Sequence, residues 1–134
     1  MYNIGYTSGV FDLFHIGHLN LLKAAKKLCS TLIVGVTTDK IAKYKHKTPI
    51  IPFDQRIEIV KSIKYVDKVI SQIDLDKVKT YDKLLYDVLI VGDDWKNTPT
   101  WNDYEKRLKV PIIYLPYTTG VSSTLIISQI KNNE

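Results

Sequence analysis

Two kinds of hydrophobic pattern alternate along the chain. Short runs rich in Val, Ile and Leu are typical of buried strands, and segments with an apolar residue every three or four positions are typical of amphipathic helices. The first pattern predicts strands at residues 2–8, 32–36, 68–71, 88–91 and 112–115. The second predicts helices at residues 19–28, 53–63, 75–85, 101–108 and 122–130. Pro52 stands just before the second helix, where its fixed φ favours a helix start.

The alternation of strand and helix predicts an α/β fold. Continuous apolar runs such as residues 88–91 indicate strands buried on both faces, which is typical of a parallel sheet between two helical layers. In such sheets, ligands bind beyond the carboxyl ends of the strands. Four segments follow predicted strands and are expected to meet at that edge: residues 9–18, 37–39, 92–95 and 116–124.

Length and composition are compatible with one domain spanning residues 1–134. With 45% hydrophobic and 25% charged residues, the chain has the composition of an ordinary globular domain. Because no run approaches the roughly 18 apolar residues of a membrane helix, no membrane insertion is expected. The first residues do not read as a signal peptide, and the single cysteine, Cys29, excludes an intramolecular disulfide. A cytoplasmic protein is expected.

The net charge of +5 is compatible with a polyanionic ligand. The dense basic run is residues 40–47, with four lysines and one histidine among eight residues, and such a run is equally typical of a solvated loop. The sequence contains no recognisable nucleic-acid module and no basic surface interleaved with aromatic residues. We therefore expect no nucleic-acid partner.

Residues 9–18, GVFDLFHIGH, place two of the chain's three histidines at a strand-to-helix junction. A helix start leaves backbone N–H groups unpaired at the positive end of the helix dipole, so it accepts anions. Gly9 and Gly17 would let a phosphate approach the main chain closely. His15 and His18, three residues apart, would both donate ring N–H groups to the same cluster of oxygens. The segment predicts a phosphate-binding site.

The histidines have two other interpretations. A lone histidine is more often a packing or exposed residue, although a His-x-Gly-His pair at such a junction reverses that expectation. Zinc is the other specific interpretation, because histidine is a common zinc ligand. Cys29 and His46 offer no recognisable third and fourth ligand, so phosphate binding is favoured.

A second hydroxyl-rich helix start follows Gly120. Ser122, Ser123 and Thr124 open the last predicted helix, and hydroxyl side chains at such positions are commonly simple N-caps. The same hydroxyls and backbone N–H groups would also bind the outer phosphates of a nucleotide. The two interpretations are compatible.

The segment GVFDLFHIGH resembles the HxGH signature of the nucleotidyltransferase superfamily, and it looks most like the versions in glycerol-3-phosphate and choline-phosphate cytidylyltransferases. Three further blocks agree with that family in order and spacing: KYVD at 64–67, GDDW at 92–95 and TTGVSST at 118–124. The resemblance extends from Tyr6 to about Ile130. It implies a single Rossmann-like, three-layer α/β/α domain with a mainly parallel five-stranded sheet.

The resemblance also implies a reaction. A small phosphorylated alcohol, with glycerol 3-phosphate as the best guess, would attack the α-phosphate of CTP in line and release pyrophosphate. The product would be a CDP-activated precursor for a surface polymer or lipid. One alternative is an adenylyltransferase of the same superfamily that uses ATP and a sugar phosphate, nucleotide or flavin phosphate. A second, of another class, is a nucleotide-binding regulator without turnover.

The resemblance assigns roles to individual residues. It implies that His15 and His18 donate hydrogen bonds to the α-phosphate, and that Lys45, Lys47 and Arg56 serve the phosphates. Nucleotide-binding roles are implied for Gly9, Val10, Phe11, Asp12, Gly17, Gly92, Asp93, Asp94, Trp95, Gly120, Ser122, Ser123 and Thr124. Within this set, the block at 92–95 is expected to lie against the base, which favours cytosine.

Several finer roles complete the expectation. Asp12 is expected either to hold Mg²⁺ or to shape the loop by hydrogen bonding. Asp39 and Tyr117 are expected at the acceptor substrate, and Tyr117 stands where the family block begins with arginine. That departure leaves the acceptor open. The block at 64–67 resembles a segment near a dimer interface, which implies a homodimer.

Overall fold

The computed structural model describes residues 1–116, 118 and 120–133. Within these residues, the strands are β1 (Tyr2–Gly9), β2 (Cys29–Thr37), β3 (Lys68–Gln72), β4 (Val88–Gly92) and β5 (Ile112–Leu115). The α-helices are α1 (Ile16–Lys26), α2 (Asp39–Tyr44), α3 (Phe53–Lys61), α4 (Lys77–Leu84), α5 (Pro99–Arg107) and α6 (Ser123–Asn132). A 3₁₀ turn, Asp93–Trp95, follows β4.

The strands form one parallel sheet in the order β3-β2-β1-β4-β5. The chain winds outward in one direction through β2 and β3 and then returns to the other side of β1 with β4 and β5. Such a reversal leaves a crevice beyond the carboxyl ends of the central strands, here β1 and β4. The segments that follow these two strands therefore border the expected ligand edge.

Two hydrophobic clusters cover the two faces of the sheet. One cluster joins sheet residues such as Val34 to Leu22 of α1 and Val60 of α3. The other joins Tyr6 and its sheet neighbours to Trp101 of α5, with α4 packed at its margin. The predicted three-layer α/β arrangement is confirmed, since each helical layer buries its apolar side chains against one face of the parallel sheet.

The principal differences from the sequence prediction lie near the ligand edge. Helix α1 begins three residues earlier than predicted, because His15 caps it. Helix α2 occupies the first half of the basic run at residues 40–47, so the loop interpretation is wrong for that half. Thr38 caps α2 by accepting a hydrogen bond from the backbone N–H of Ile41, and Ala42 is fully buried, which fixes this short helix on the core.

The sequence predicts no membrane insertion, and the lengths and compositions of the helices test this prediction. In the part of the chain that the structure describes, none of them combines the length and the apolar character needed to cross a membrane.

Candidate active site

Two histidines form the start of α1. His15 is the N-cap residue, and its Nδ1 atom accepts a hydrogen bond from the backbone N–H of Gly17 at 3.1 Å. The Nδ1 atom of His18 accepts one from the backbone N–H of His15 at 3.2 Å. This is a capping box with imidazole rings in the roles usually taken by Ser or Thr and Glu or Gln. The rings stack with centroids 3.8 Å apart, so the two side chains converge as expected.

These hydrogen bonds decide where the ring protons lie. A nitrogen that accepts a hydrogen bond carries no proton, so each neutral ring holds its proton on Nε2. Burial, and then the neighbouring His15, lower the pKa of His18 to about 4 against the opposing effect of Asp12. Burial also lowers the pKa of His15. At neutral pH both rings are therefore uncharged and each has one Nε2–H donor.

The loop before the histidines has a strained backbone, and packing holds it in place. Phe11 and Leu13 have φ angles of 55° and 49°, a left-handed conformation that costs a non-glycine residue about 1–2 kcal/mol. The buried ring of Phe11 packs edge-on against His18, with centroids 5.3 Å apart. Because its side chain belongs to the core, Phe11 has only its main chain left for a nucleotide. At Gly17, an added Cβ would lie 2.9 Å from the His15 ring.

Asp12 shapes the site by hydrogen bonding. It is only 7% exposed, and its two carboxylate oxygens accept hydrogen bonds from the backbone N–H groups of Ile50 and Ile51 at 2.9 and 3.0 Å. Its backbone carbonyl accepts another from the hydroxyl of Ser123. Asp12 thus ties the histidine loop to the segment before α3 and to the start of α6. This agrees with the loop-shaping alternative of the sequence analysis.

The surroundings of the Asp12 carboxylate bear on the predicted Mg²⁺ site. Both oxygens of Asp12 are engaged with backbone N–H groups, and the described residues contain no group of three or more His, Cys, Asp or Glu side chains that could hold a metal ion. The predicted coordination by Asp12 therefore does not fit its surroundings. A magnesium ion at this edge would need ligands from a substrate, as is common where Mg²⁺ accompanies phosphates.

Arg56 is the most completely buried charge at this edge. Its side chain is 0% exposed, which is unusual for arginine. Four N–H groups donate to protein oxygens at 2.6–2.8 Å: the carbonyls of Val10, Thr37 and Ile51 and the Oδ1 of Asp39. One of its five N–H donors remains. The geometry therefore favours positioning of loops over the direct phosphate contact that the resemblance implies.

Asp39 is the charged partner of Arg56. Its Oδ1 atom lies 2.6 Å from the guanidinium, and its Oδ2 accepts a hydrogen bond from the backbone N–H of Phe53. The hydrogen bond from Arg56 holds the pKa of this carboxyl below its usual range. The carboxylate predicted to contact substrate is thus engaged in joining the starts of α2 and α3.

Lys45 and Lys47 are exposed and follow the end of α2. His46 between them has φ 63°, a left-handed turn that ends the helix. Partial desolvation, and then the charge of Lys47, lower the pKa of Lys45. Lys45 also lowers the pKa of Lys77, a third lysine that sequence reasoning missed.

That third residue, Lys77, lies at the start of α4 and is only 7% exposed. Its Nζ donates a hydrogen bond to the hydroxyl of Ser8 at 2.6 Å. The same hydroxyl accepts from Nε2 of Gln72, whose Oε1 accepts from the hydroxyl of Thr37 at 2.6 Å. Burial, and then Lys45, lower the pKa of Lys77 to about 7, against Asp74 and Asp76. With a pKa of about 7, Lys77 is protonated in only part of the molecules at neutral pH, and it lies at the ligand edge.

The sequence held a weak signal for this cluster. Ser8, Thr37 and Gln72 are polar residues near the carboxyl ends of three adjacent strands, and a parallel sheet brings such positions together. In the sequence, Lys77 is one of several lysines at residues 77–83, and nothing in the local pattern distinguishes it. Its inward direction depends on a contact between residues far apart in sequence, and the local pattern does not encode it.

The block at 92–95 follows β4, as predicted, and β4 lies beside β1 where the strand order reverses. Gly92 ends the strand, and Asp93, Asp94 and Trp95 form the 3₁₀ turn. The indole of Trp95 is 46% exposed, so it offers a large apolar surface to solvent near this edge. The expected contact of this block with a base stays a prediction.

The start of α6 reaches the histidine loop. Ser122 caps α6 by accepting a hydrogen bond from the backbone N–H of Leu125 at 3.0 Å, which confirms the simple capping role expected for one of these hydroxyls. Ser123 bonds the carbonyl of Asp12, and Thr124 is exposed. Gly120 has φ 80°, a left-handed conformation that favours glycine. Tyr117, the predicted acceptor contact, lies outside the described residues.

The starts of α1 and α6 are brought together across the site. Asn20 of α1 donates a hydrogen bond to the hydroxyl of Thr118, just before α6, at 3.0 Å. Ser123 bonds to the loop that precedes α1. Two helix N-termini, each with unpaired backbone N–H groups, therefore border the same edge as the histidine pair. This arrangement favours a polyanionic ligand with several phosphate groups.

Proteins similar to this chain are known both by sequence and by structure. A glycerol-3-phosphate cytidylyltransferase of Bacillus spizizenii is 39% identical over 121 residues, which cover 90% of this chain and 91% of that protein. An FAD synthase of Archaeoglobus fulgidus is 39% identical over 100 residues, 75% of this chain and 72% of that protein. Among solved structures, a lipopolysaccharide core biosynthesis protein of Thermoplasma volcanium superposes with a TM-score of 0.76 at 28% identity, covering 88% of this chain and 99% of that one.

The family model described as cytidylyltransferase-like matches residues 6–129, which includes the histidine loop, the Gly92–Trp95 block and most of α6. The match therefore extends over every element of the site and is not limited to the HxGH motif. This protein belongs to the cytidylyltransferase-like family.

Proposed function

We propose that this protein transfers a cytidylyl group from CTP to a small phosphorylated alcohol, with glycerol 3-phosphate as the best candidate. An oxygen of the acceptor phosphate forms a bond to the α-phosphorus, the bond to the bridging oxygen breaks, and pyrophosphate leaves with its electron pair. The observation that carries this proposal is the stacked pair His15 and His18, with two Nε2–H donors at a helix start on the sheet edge. The similarity to a glycerol-3-phosphate cytidylyltransferase supports the choice of substrates.

The two histidines act as neutral hydrogen-bond donors in this reaction. The attacking phosphate is already ionised, so no base is needed, and the developing charge at the α-phosphate needs donors that are oriented in advance. Removal of one such donor costs about 2.7–4 kcal/mol of transition-state stabilisation in other enzymes. Lys45 and Lys47 add positive charge from the segment after α2, and the starts of α1 and α6 add backbone N–H groups.

The acceptor phosphate is assigned to Lys77. Its ammonium group lies near the end of β1, where it donates a hydrogen bond to Ser8, and its pKa is lowered by the charge of Lys45. A dianionic phosphate in that position would be attracted by both lysines and would stabilise the charged form of Lys77. This assignment supplies a cation for the acceptor even though residue 117 is a tyrosine.

The base is assigned to the segment Gly92–Trp95, which the family resemblance relates to cytosine. Magnesium is assigned to the phosphates of CTP rather than to a protein cage, because the carboxylate of Asp12 is already engaged. When bound there, the ion would offset negative charge on the triphosphate.

The cellular setting is part of the proposal. We assign the protein to the cytoplasm, and its product to the synthesis of a surface polymer or lipid. We assign the interface of a homodimer to the side of the sheet at β3, the edge strand that directly follows residues 64–67. Light scattering after size-exclusion chromatography tests the dimer, which a monomer mass would exclude.

A pyrophosphate-release assay tests the reaction. Purified protein with Mg²⁺ is combined with each of the four nucleoside triphosphates and with a panel of phosphorylated polyols, amino alcohols, sugars and flavin. We expect release with CTP and a polyol phosphate. No release from any combination would exclude the enzyme and leave the nucleotide-binding regulator, which also predicts that His15→Ala and His18→Ala retain function.

An adenylyltransferase is the second candidate, because an FAD synthase is as similar in percentage identity as the glycerol-3-phosphate enzyme. The match to the FAD synthase covers less of both chains, which favours the first candidate. ATP with flavin phosphate outcompeting CTP in the same assay would establish the second.

A further inference from the structure

Lys77 is a buried cation that lacks a carboxylate partner. In the part of the chain that the structure describes, its ammonium group forms no ion pair with an Asp or Glu side chain. Asp74 and Asp76 are near enough to raise its pKa, but each carboxylate faces another cation. Asp74 lies 3.9 Å from Lys79, and Asp76 lies 3.0 Å from Arg107. A buried charge in such surroundings is stable only when hydrogen bonds or an outside anion offset the loss of water.

Uncharged side chains from three adjacent strands stand where a carboxylate would be expected. The Nζ of Lys77 donates a hydrogen bond to the hydroxyl of Ser8 on β1 at 2.6 Å. Ser8 also accepts from Nε2 of Gln72 on β3, and Oε1 of Gln72 accepts from the hydroxyl of Thr37 on β2. Gln72 and Thr37 are buried. We call Ser8, Thr37 and Gln72 the neutral triad, because it holds the ammonium group and adds no negative charge.

Gln72 is the central member of the neutral triad. It is the register partner of Thr37 in β2, whereas Ser8 lies opposite Gly35, two residues earlier in that strand. The side chain of Gln72 therefore spans β2 diagonally and joins the outer strand β3 to the central strand β1. Glutamate has the same length and shape as glutamine and carries a charge. Position 72 could thus hold a counter-ion for Lys77 with no change in side-chain size, and it holds a neutral amide.

We propose that Gln72 is a positioning residue for the acceptor phosphate: through Ser8 it holds the ammonium group of Lys77 with an uncharged side chain, and so leaves the counter-charge to the substrate. The proposal rests on the cytidylyl transfer proposed above and deepens its assignment of the acceptor phosphate to Lys77. A carboxylate at position 72 would compete with the phosphate for the same cation. The neutral amide avoids that competition and keeps the hydrogen bonds.

The charged groups around Lys77 come from two segments. Lys45, after α2, lowers the pKa of Lys77, and Asp74 and Asp76, before α4, raise it. Strands β1, β2 and β3 contribute the neutral triad. A nearby negative charge favours the protonated form of a lysine, so a glutamate at position 72 should raise the pKa of Lys77 above its value of about 7.

The substitution Gln72→Glu tests this inference, because it adds one negative charge and keeps the size of the side chain. Pyrophosphate release from CTP and glycerol 3-phosphate is measured from about pH 6 to 10, a range that includes the titration of a lysine with a lowered pKa. We expect the KM for glycerol 3-phosphate at neutral pH to rise about 10-fold, since like charges repel, and the KM for CTP to change less. The increase of the acceptor KM with pH should move to higher pH.

The matched control is Gln129→Glu, which adds the same charge at an exposed position of α6. It should change neither the acceptor KM nor its dependence on pH. A wild-type acceptor KM and pH profile in Gln72→Glu would overturn the inference, and so would an equal rise in the KM for CTP. A residue that only supported the fold would lower stability without moving the pH profile.

The substitution Ser8→Ala is a second test, which remains available if Gln72→Glu does not fold. It removes the oxygen that joins Gln72 to Lys77, so the acceptor KM should rise about 5- to 10-fold, the effect of one hydrogen bond, with the KM for CTP unchanged. An unchanged acceptor KM would contradict the inference.

Failure of the proposed function would look different. Wild-type protein that releases no pyrophosphate would contradict the reaction, and a wild-type acceptor KM in Lys77→Met would contradict the assignment of the phosphate to Lys77. Urea unfolding tests the role of Gln72 without catalysis. Gln72→Glu should stabilise the protein more when Lys77 is present than in combination with Lys77→Met, and equal effects would overturn the inference.

Discussion

At the scale of single residues, each of the two histidines uses its two nitrogens for different purposes. Nδ1 accepts the backbone hydrogen bond that starts α1, and Nε2 keeps the proton. The spacing of His15 and His18 in the sequence was enough to predict that they converge. The tautomer was not predictable, because it depends on which backbone N–H groups the loop turns toward the rings.

Substitutions at His15 should separate folding from catalysis. Asparagine is a good N-cap but lacks the Nε2–H donor, so His15→Asn should keep the free energy of unfolding within about 0.5 kcal/mol. Its kcat should fall about 10²- to 10³-fold, as for removal of an oriented donor. His15→Ala should lose the cap as well, at about 1 kcal/mol of stability. Urea unfolding and kcat measure the two effects, and an active His15→Asn would contradict the assigned role.

At the scale of secondary-structure elements, Arg56 connects segments that are distant in sequence. From α3 it bonds the loop after β1, the end of β2, the start of α2 and the segment before its own helix. The helix itself was predicted at nearly the right place. The inward direction of Arg56 was not, since an arginine on an amphipathic helix is ordinarily exposed, and its four acceptors are assembled only by the fold.

Substitution of Arg56 should therefore disturb several loops at once. Arg56→Lys keeps a charge but loses the planar fork of donors and leaves buried carbonyls unpaired, so we expect a loss of about 1–3 kcal/mol in unfolding free energy and a fall in kcat. The matched control is Asp39→Asn. Its side chain is half exposed, and we expect a loss of under about 1 kcal/mol. Equal losses in urea titrations of the two variants would exclude the positioning role.

At the scale of the whole molecule, the parallel sheet turns a scattered set of residues into one site. The five strands and their order along the chain followed from hydrophobic patterning, and so did the edge at which the loops meet. The cluster of Lys77 with Ser8 and Gln72 did not, because each of these residues is unremarkable in its own segment.

Buried Lys77 should make stability depend on pH. Its pKa is about 7 in the folded chain, well below the usual value, so between pH 7 and 10 the unfolded chain binds a proton that the folded chain does not. The free energy of unfolding of the wild type should therefore rise with pH across this window relative to Lys77→Met. Urea unfolding at several pH values measures this difference. If the difference in unfolding free energy between the wild type and Lys77→Met stays flat or falls with pH, the pKa of Lys77 is not lowered in the folded chain.

The same titration should appear in the kinetics. If the charged form of Lys77 holds the acceptor phosphate, the KM for the acceptor should rise between pH 7 and 9 as that charge is lost, while the KM for CTP changes less. Lys77→Arg stays charged throughout, so its acceptor KM should be nearly constant over this range. If the acceptor KM of the wild type and that of Lys77→Arg change with pH in parallel, Lys77 does not bind the acceptor phosphate.

The reciprocal capping of His15 and His18 has a consequence for how such a site can change over generations. Because the atoms that start the first helix belong to the same rings as the proposed donors, a replacement of His15 by a residue that cannot cap a helix harms local folding and activity in one step. Selection then acts on the two defects together. At position 15, a lineage could leave this chemistry and keep the helix start only through another good N-cap residue, such as asparagine.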